Sequence, residues 1–484
     1  MLEKFMKDNI YRNYVGGDWI DSRDNQYIDI VSPIDNSIIG RVSAMSKDDI
    51  DKAIESASEA QKSWKYTTIA ARRDIMLKAA DILERQQDLF VDLLIREVSK
   101  DKKSAISEVI RTVDLIKYTA NAASNILGEY ISGDSFPGYN KNKKALVDRE
   151  PLGVILAISP FNYPINLAAS KIVPAIMAGN TVVFKPATQG AISGINLVKV
   201  FEEAGLPAGV LNSITGKGSE IGDYSVTHPS INMINFTGST EIGVRISEIT
   251  KMTPLLMELG GKDAAIVLED ADLEVAANQI VSGAFSYSGQ RCTAIKRILV
   301  DDKVADELVQ KLKYRIEELR CGNPLKEQVD IVPLIDDKSA DYIEELIEDS
   351  KTKGALLVTG GKRTGKLIYP TLFDKVTLDM RLAWEEPFGP ILPIIRINSI
   401  DEAIDISNAS KYGLQGSIFT NDIDKAFYIA DRLEVGTVQI NNKTERGPDN
   451  FPFLGIKASG VGTQGIRESM ISMTRSKVTV LNLR

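Results

Sequence analysis

Two side chains in this chain are placed for chemistry between a thiol and a carboxylate. Cys292 sits in SGQRCTAIKR, where Gly289 and the neighbouring Arg291 predict an accessible loop entering a strand. The thiolate is the reactive form of cysteine, although a free cysteine is often no more than a small buried hydrophobe. Cys321, in RCGNP at a helix end, keeps that plainer reading. Glu258, in LLMELGGK, interrupts an apolar strand and precedes two glycines, so a solvated face explains it poorly and base chemistry explains it better. A third feature is GSTEIG, from Gly238 to Gly243. A glycine after a strand is often only a turn. Here, however, the segment follows INMINFT and opens a helix, the arrangement in which exposed N–H groups and the helix dipole hold a pyrophosphate.

Composition narrows what these groups can do. The chain has 484 residues, enough for two to four domains at roughly 100 to 200 residues each. Apolar residues make up 43%, charged residues 26%, and mean hydropathy is -0.09, which is ordinary globular composition. Lys plus Arg number 58 against 66 Asp plus Glu, a net charge of -8. No global basic field exists to gather nucleic acid or anionic lipid, so an anionic ligand needs local arginines. The two cysteines exclude a disulfide framework and cysteine-rich zinc sites, and they fit a reducing cytosol. The single histidine, His228, disfavours Ser-His-Asp triads and paired-histidine metal sites, and no metal is expected. The N-terminal stretch MLEKFMKDNIYRNYVGGDWIDS has scattered charges and no apolar run, unlike a signal peptide. Prolines and Lys171 interrupt the apolar region from Pro151 to Phe184, so no lipid-spanning helix is expected there. The expectation is a soluble, cytoplasmic protein without nucleic-acid or membrane partners.

The elements that must position these groups follow from periodicity. After a β-like start containing IDIVSP and SIIGRVSA, Ser46 with Asp49 three residues on predicts a helix N-cap, and helices dominate to about Leu127. In AISEVIRTVDLIKY, Ile106, Val109, Ile110, Val113 and Ile116 predict one buried face with Arg111 off its centre. The segment GEYISGDSFPGYNKNKKALVDREP suits a hairpin or arm. From Gly153, apolar runs alternate with helical stretches, which predicts a parallel sheet with crossover helices. On such sheets ligands bind outside the carboxyl ends of the strands, so ISPFNYP, FKPAT, ITGKGSE and FTGSTEIG should line one crevice. A second α/β unit starts near Gly261, and the closing strand KVTVLNL can pair with the arm or with another subunit.

Together GVILAISPFNYP, FKPAT, FTGST, MELGGKDAAIVLEDAD, YSGQRCTA, EEPFGP and NFPFLGIKASG resemble the aldehyde dehydrogenase superfamily, in order from about Tyr14 to the C-terminus. Within it, SEVIRT, YSGQRCTA and NNKTERGPDNFPF most closely resemble the non-phosphorylating, NADP-dependent glyceraldehyde-3-phosphate dehydrogenases. The resemblance implies a Rossmann-type NADP-binding domain over 1–127 and 147–260, a catalytic α/β domain over 261–464, and a small β oligomerisation arm over 128–146 and 465–484. It implies Cys292 as nucleophile, Glu258 as general base, and the Asn162 amide with the Cys292 N–H as oxyanion donors. For the cofactor it implies NADP held by Ser159, Lys185, Thr188, Lys217, Gly238, Ser239, Gly243, Glu386 and Phe388. Thr188 replaces a glutamate common in NAD-preferring relatives, so no carboxylate repels a 2′-phosphate and Lys185 is left to pair with it. Lys217 stands where close relatives carry arginine, a point charge in place of a planar fork.

For the substrate, the resemblance implies that Arg111, Tyr163, Arg291 and Arg446 grip a phosphate, although an arginine is more often simply solvated. The implied reaction is irreversible oxidation of glyceraldehyde 3-phosphate to 3-phosphoglycerate through a thiohemiacetal and a hydrolysed thioester, in a homotetramer. Three alternatives remain: an NADP-dependent semialdehyde dehydrogenase whose arginines hold a carboxylate, a cofactor-free cysteine acyl-transferase, and a non-catalytic binding protein.

Overall fold

The computed structural model describes residues 5–484. The Ser46 hydroxyl accepts from the Asp49 N–H and the Asp49 carboxylate accepts in return, a capping box that starts the helix Lys47–Trp64. Helices Ile69–Arg85, Gln87–Val98 and Lys102–Ala122 follow. The last of these buries Ala105, Val109, Thr112, Val113 and Ile116. Ile110, expected on that face, is instead exposed. The buried stripe is centred one position away, and it includes Glu108.

The alternating region forms five parallel strands: β1 Val154–Ile158, β2 Thr181–Lys185, β3 Leu211–Ser213, β4 Met233–Thr237 and β5 Leu255–Glu258. Their spatial order is β3-β2-β1-β4-β5, so the winding direction reverses between β1 and β4. That reversal opens a crevice at the carboxyl ends of the strands, the dinucleotide position of a Rossmann sheet. All four loops expected there leave strand carboxyl ends: ISPFNYP after β1, FKPAT after β2, ITGKGSE after β3 and FTGSTEIG after β4. β1, β2 and β4 are buried at every position, and β1 and β2 accordingly read as largely apolar runs.

The second large sheet has seven strands: β6 Ala264–Val267, β7 Arg297–Asp301, β8 Leu356–Thr359, β9 Thr371–Asp374, β10 Ile391–Ile397, β11 Gln415–Phe419 and β12 Thr437–Ile440, in spatial order β8-β9-β10-β7-β6-β11-β12. Only β8 runs antiparallel to its neighbour. The two sheets do not divide where the sequence divided the chain. Gly460–Val461, expected in the second unit, pairs antiparallel with Met257 and Glu258 at the edge of the first sheet. The helix Ile466–Ser472, expected in the arm, packs Ile466 and Met470 into the core beneath helices Lys102–Ala122 and Asn166–Met177. Its apolar face needs a partner that a three-stranded ribbon does not provide.

The arm itself is such a ribbon. Thr474–Asn482 pairs antiparallel with Lys143–Pro151, which pairs with Gly128–Ser132. Tyr130, Ile131, Leu146, Val478 and Val480 on it are exposed. Among the described residues, no helix is long and apolar enough to cross a membrane.

Candidate active site

Cys292 is carried by the turn between the helix Leu273–Phe285 and β7. Tyr287, Ser288 and Gly289 all have positive φ, at 51°, 52° and 70°. Two of the three are not glycine, so the turn persists only because its surroundings over-determine it. The Tyr287 hydroxyl donates to the Val98 carbonyl at 2.7 Å. The Ser288 hydroxyl donates to the Val332 carbonyl at 2.9 Å and accepts the Val332 N–H at 2.8 Å. Gln290 accepts the Ile335 N–H at 3.0 Å. At Gly289 an added Cβ would meet the Gly389 carbonyl. The loop expected to be accessible is therefore enclosed, with Gln290 and Arg291 buried and only Cys292 partly open.

Glu258 ends β5, and its Oε1 lies 3.6 Å from the Cys292 Sγ. Two groups 34 residues apart in sequence thus meet because one terminates a strand and the other follows the tight turn. Burial pushes the Cys292 thiol well above its ordinary pKa, and the Glu258 carboxylate adds to this while Lys296 opposes it. The neutral thiol is the resting form, and a base in contact is what makes it reactive. Lys296 also donates to the Cys292 carbonyl and pairs with Glu386 at 2.8 Å.

Asn162 lies in the loop after β1, and its Nδ2 donates to the Gln290 carbonyl at 3.0 Å. An amide nitrogen has two N–H groups, so one remains for an oxyanion. The loop is held from beneath by a pair the sequence reading missed. Lys100 and Glu108 are both fully buried and ion-paired. The Lys100 ammonium donates to the Asn162 carbonyl at 2.7 Å and lies 3.8 Å from the Tyr163 ring centroid and 4.6 Å from that of Tyr287. Glu108 Oε1 accepts the Ile165 and Asn166 N–H groups at 3.1 Å each. The sequence signal was an acid on the apolar face of an amphipathic helix. Lys171, also missed, is fully buried behind Glu258, donates to Thr237 at 2.6 Å and is pushed down to about 7 by burial.

Most of the cofactor candidates lie in or next to the loops at the carboxyl ends of β1 to β4. Ser159 is buried with a hydroxyl that has no hydrogen-bond partner. Lys185 is 5% exposed, makes one long contact to the Pro186 carbonyl at 3.5 Å and is pushed down to about 8 by burial. Thr188 is half-buried, 3.5 Å from the Gly216 carbonyl. Lys217 is exposed at the N-cap of the helix Gly218–Thr227, 3.4 Å from Glu220. The Gly238 N–H donates to the Glu258 carbonyl at 3.2 Å, Ser239 caps the helix Thr240–Ile249, and a Cβ at Gly243 would strike Leu259. Glu386 also accepts the Gly261 N–H at 3.1 Å, and Phe388 stacks edge-on against Phe161 at 5.9 Å. A crevice of about 960 Å³ is lined by Ser239, Thr240, Ile242, Glu386 and Tyr412. A partnerless buried hydroxyl, an uncompensated buried ammonium and a helix N-terminus are a donor set that fits a phosphorylated dinucleotide.

The arginines are drawn together, but differently from expectation. Arg111 forms a bidentate pair with Asp449 at 2.8 and 2.7 Å. Arg446 contacts Glu258 Oε2 at 2.7 Å and Asp449 at 3.5 Å. Arg291, expected to reach a phosphate, is buried and donates to the Gly283 carbonyl. Its backbone follows the left-handed turn, which directs the side chain into the preceding helix. Arg111 and Tyr163 line a cleft of about 530 Å³ with Ser107, Phe285, Tyr287 and Lys443. Among the described residues, no group of three or more His, Cys, Asp or Glu is arranged to hold a metal ion.

Residues 19–479 match the model of the aldehyde dehydrogenase family. The NADP-dependent glyceraldehyde-3-phosphate dehydrogenase of Streptococcus equinus is 55% identical, covering 98% of this chain and 99% of its own. The enzyme of the same name from Pisum sativum is 49% identical and covers 100% of this chain and 97% of its own. Among solved structures, the NADP-dependent glyceraldehyde-3-phosphate dehydrogenase of Bacillus halodurans C-125, complexed with NADP, superposes with a TM-score of 0.96 at 56% identity, over 98% of this chain and 99% of that one. With a family model spanning nearly its whole length and relatives of this identity, the chain belongs to the aldehyde dehydrogenase family.

Proposed function

We propose that this protein oxidises glyceraldehyde 3-phosphate to 3-phosphoglycerate with NADP, without inorganic phosphate. The observation that carries the reading is the 3.6 Å contact between the Cys292 thiol and the Glu258 carboxylate, with Arg446 paired to that carboxylate and Arg111 and Tyr163 lining the neighbouring cleft. In this mechanism Glu258 takes the thiol proton and the thiolate adds to the aldehyde carbon. The second N–H of the Asn162 amide and the Cys292 N–H hold the oxyanion, donors whose individual loss costs about 10²- to 10³-fold in such sites. Bound NADP supplies the hydride acceptor. Ser159, Lys185, Thr188, Lys217, Gly238, Ser239, Gly243, Glu386 and Phe388 hold it, with Lys185 on the 2′-phosphate and Glu386 on a ribose. The acyl group left on Cys292 is a thioester; Glu258 gives up the thiol proton to solvent and then draws a proton from water to hydrolyse it, a role worth about 10² to 10⁴. Arg111, Tyr163 and Arg446 recognise the phosphate, and Arg291 supports from behind the loop.

The same reading includes assembly as a homotetramer through the arm, supported by the exposed Tyr130, Ile131, Leu146, Val478 and Val480. A cytoplasmic location is supported by free thiols at Cys292 and Cys321. The test is formation of NADPH from glyceraldehyde 3-phosphate in buffer free of phosphate and arsenate, with 3-phosphoglycerate identified as product. Activity confined to a carboxylated semialdehyde would move the arginines to a different anion and overturn the substrate assignment.

A further inference from the structure

Arg446 is placed at two jobs. Its guanidinium holds Glu258 at 2.7 Å, with side-chain exposures of only 10% and 2%, and the proposed function also gives it to the substrate phosphate. The ion pairs form a continuous chain from Arg111 to Asp449 to Arg446 to Glu258. Two cations meet two anions there, so neither arginine is free. A phosphate that takes Arg446 must take it from Glu258. The carboxylate is meanwhile held at both ends, Oε1 beside the thiol and Oε2 on Arg446, with Thr237 at 3.4 Å. That pose suits deprotonation of the thiol. Hydrolysis asks something else of the same group, because water must enter beside the thioester and find a carboxylate free to turn toward it.

We propose that the substrate phosphate and Glu258 exchange on Arg446, so that the phosphate, on binding, releases Glu258 for the hydrolytic step. The inference rests on the phosphorylated-aldehyde reading above. With Glu258 released, water adds to the thioester carbonyl as its proton passes to the Glu258 carboxylate. The tetrahedral adduct then collapses with cleavage of the C–S bond, giving the carboxylic acid product and the Cys292 thiolate. Specificity for a phosphorylated aldehyde is thereby expressed in the second half of the reaction as well as in binding. An aldehyde lacking phosphate still acylates Cys292 but leaves Glu258 tied to Arg446.

The experiment supplies the substrate in two pieces. Unphosphorylated glyceraldehyde is mixed with the NADP-loaded protein in a stopped-flow instrument, with and without inorganic phosphite. The expected result is one equivalent of NADPH per site followed by slow turnover. Phosphite should raise the slow phase at least tenfold, with the ~10² to 10⁴ of a general base as the ceiling, while changing the burst rate much less. The Arg446→Gln variant should lose the phosphite response. No burst with glyceraldehyde, equal acceleration of both phases, or a phosphite response that survives in Arg446→Gln would overturn the exchange. If glyceraldehyde 3-phosphate itself gives no NADPH, the underlying substrate reading fails and the inference goes with it. Turnover of that substrate with no phosphite effect on glyceraldehyde removes the exchange alone.

Discussion

Replacing Lys100 with methionine tests whether a buried ion pair positions the oxyanion donor. Lys100 and Glu108 have side chains with no exposure at all. Removing one partner of such a pair typically costs about 3–5 kcal/mol, because the remaining charge is left uncompensated. Glu108 keeps the Ile165 and Asn166 N–H groups, which puts the expected cost toward the lower end. Methionine retains much of the stem volume between Tyr163 and Tyr287, but the Asn162 carbonyl loses its 2.7 Å donor. A misplacement of about 1 Å at a reacting group can cost about 10²-fold in rate, so kcat should fall by up to that amount while KM for NADP stays unchanged. Urea unfolding and steady-state NADPH formation measure the two effects. The double variant Lys100→Met/Glu108→Gln removes both charges yet leaves an oxygen to accept the two N–H groups, and it should recover most of the stability but not the rate. An unchanged kcat in a folded Lys100→Met protein would refute the positioning role. A double variant no more stable than the single one would refute the electrostatic origin of the cost.

Three other perturbations address separate parts of the site. Glu258→Gln should release its one equivalent of NADPH per site more slowly, because the thiol has lost its base, and then turn over about 10²- to 10⁴-fold more slowly; full steady-state turnover in stopped-flow traces would remove Glu258 as the base for hydrolysis. Lys185 is pushed down to about 8 by burial, so its cation is present below pH 8 and lost above it. The Kd for NADP, followed by protein fluorescence, should weaken above pH 8 by up to about tenfold per unit, the one-proton limit, whereas parallel curves for NADP and NAD would exclude Lys185 from the 2′-phosphate. Burial holds the Cys292 thiol protonated, so alkylation by iodoacetamide without cofactor should still be accelerating at high pH. A plateau near neutrality would mean that a thiolate forms in the resting protein.

What the sequence disclosed and what it withheld divide along the distance between interacting residues. β1 and β2 were legible because strands buried on both faces are largely apolar runs, β3 and β4 from their places in the strand-helix alternation, and the loops after them had to lie at one edge once the strands were parallel. The Ser46 cap was legible because both partners lie within one helical turn. Arg111 and Asp449, by contrast, are 338 residues apart, and Arg446 and Glu258 are 188 apart. No local pattern records that pairing, so the arginines read as free anion ligands when each is already engaged. Arg291 shows the same limit at short range. Gly289 and Arg291 itself suggested an accessible loop around Cys292, but the positive φ of Tyr287 and Ser288, which turns Arg291 toward Gly283, is imposed by contacts to Val98 and Val332. Side chains that react were therefore recognisable from their type and immediate setting. The groups that hold them, Lys100, Glu108 and Lys171, emerged only from the packing of distant elements. Glu108 could have been suspected, since a carboxylate on the apolar stripe of a helix must be paired or satisfied by backbone donors. Lys171 could have been suspected for the same reason, as the one charge in the helix Asn166–Met177, every residue of which is buried.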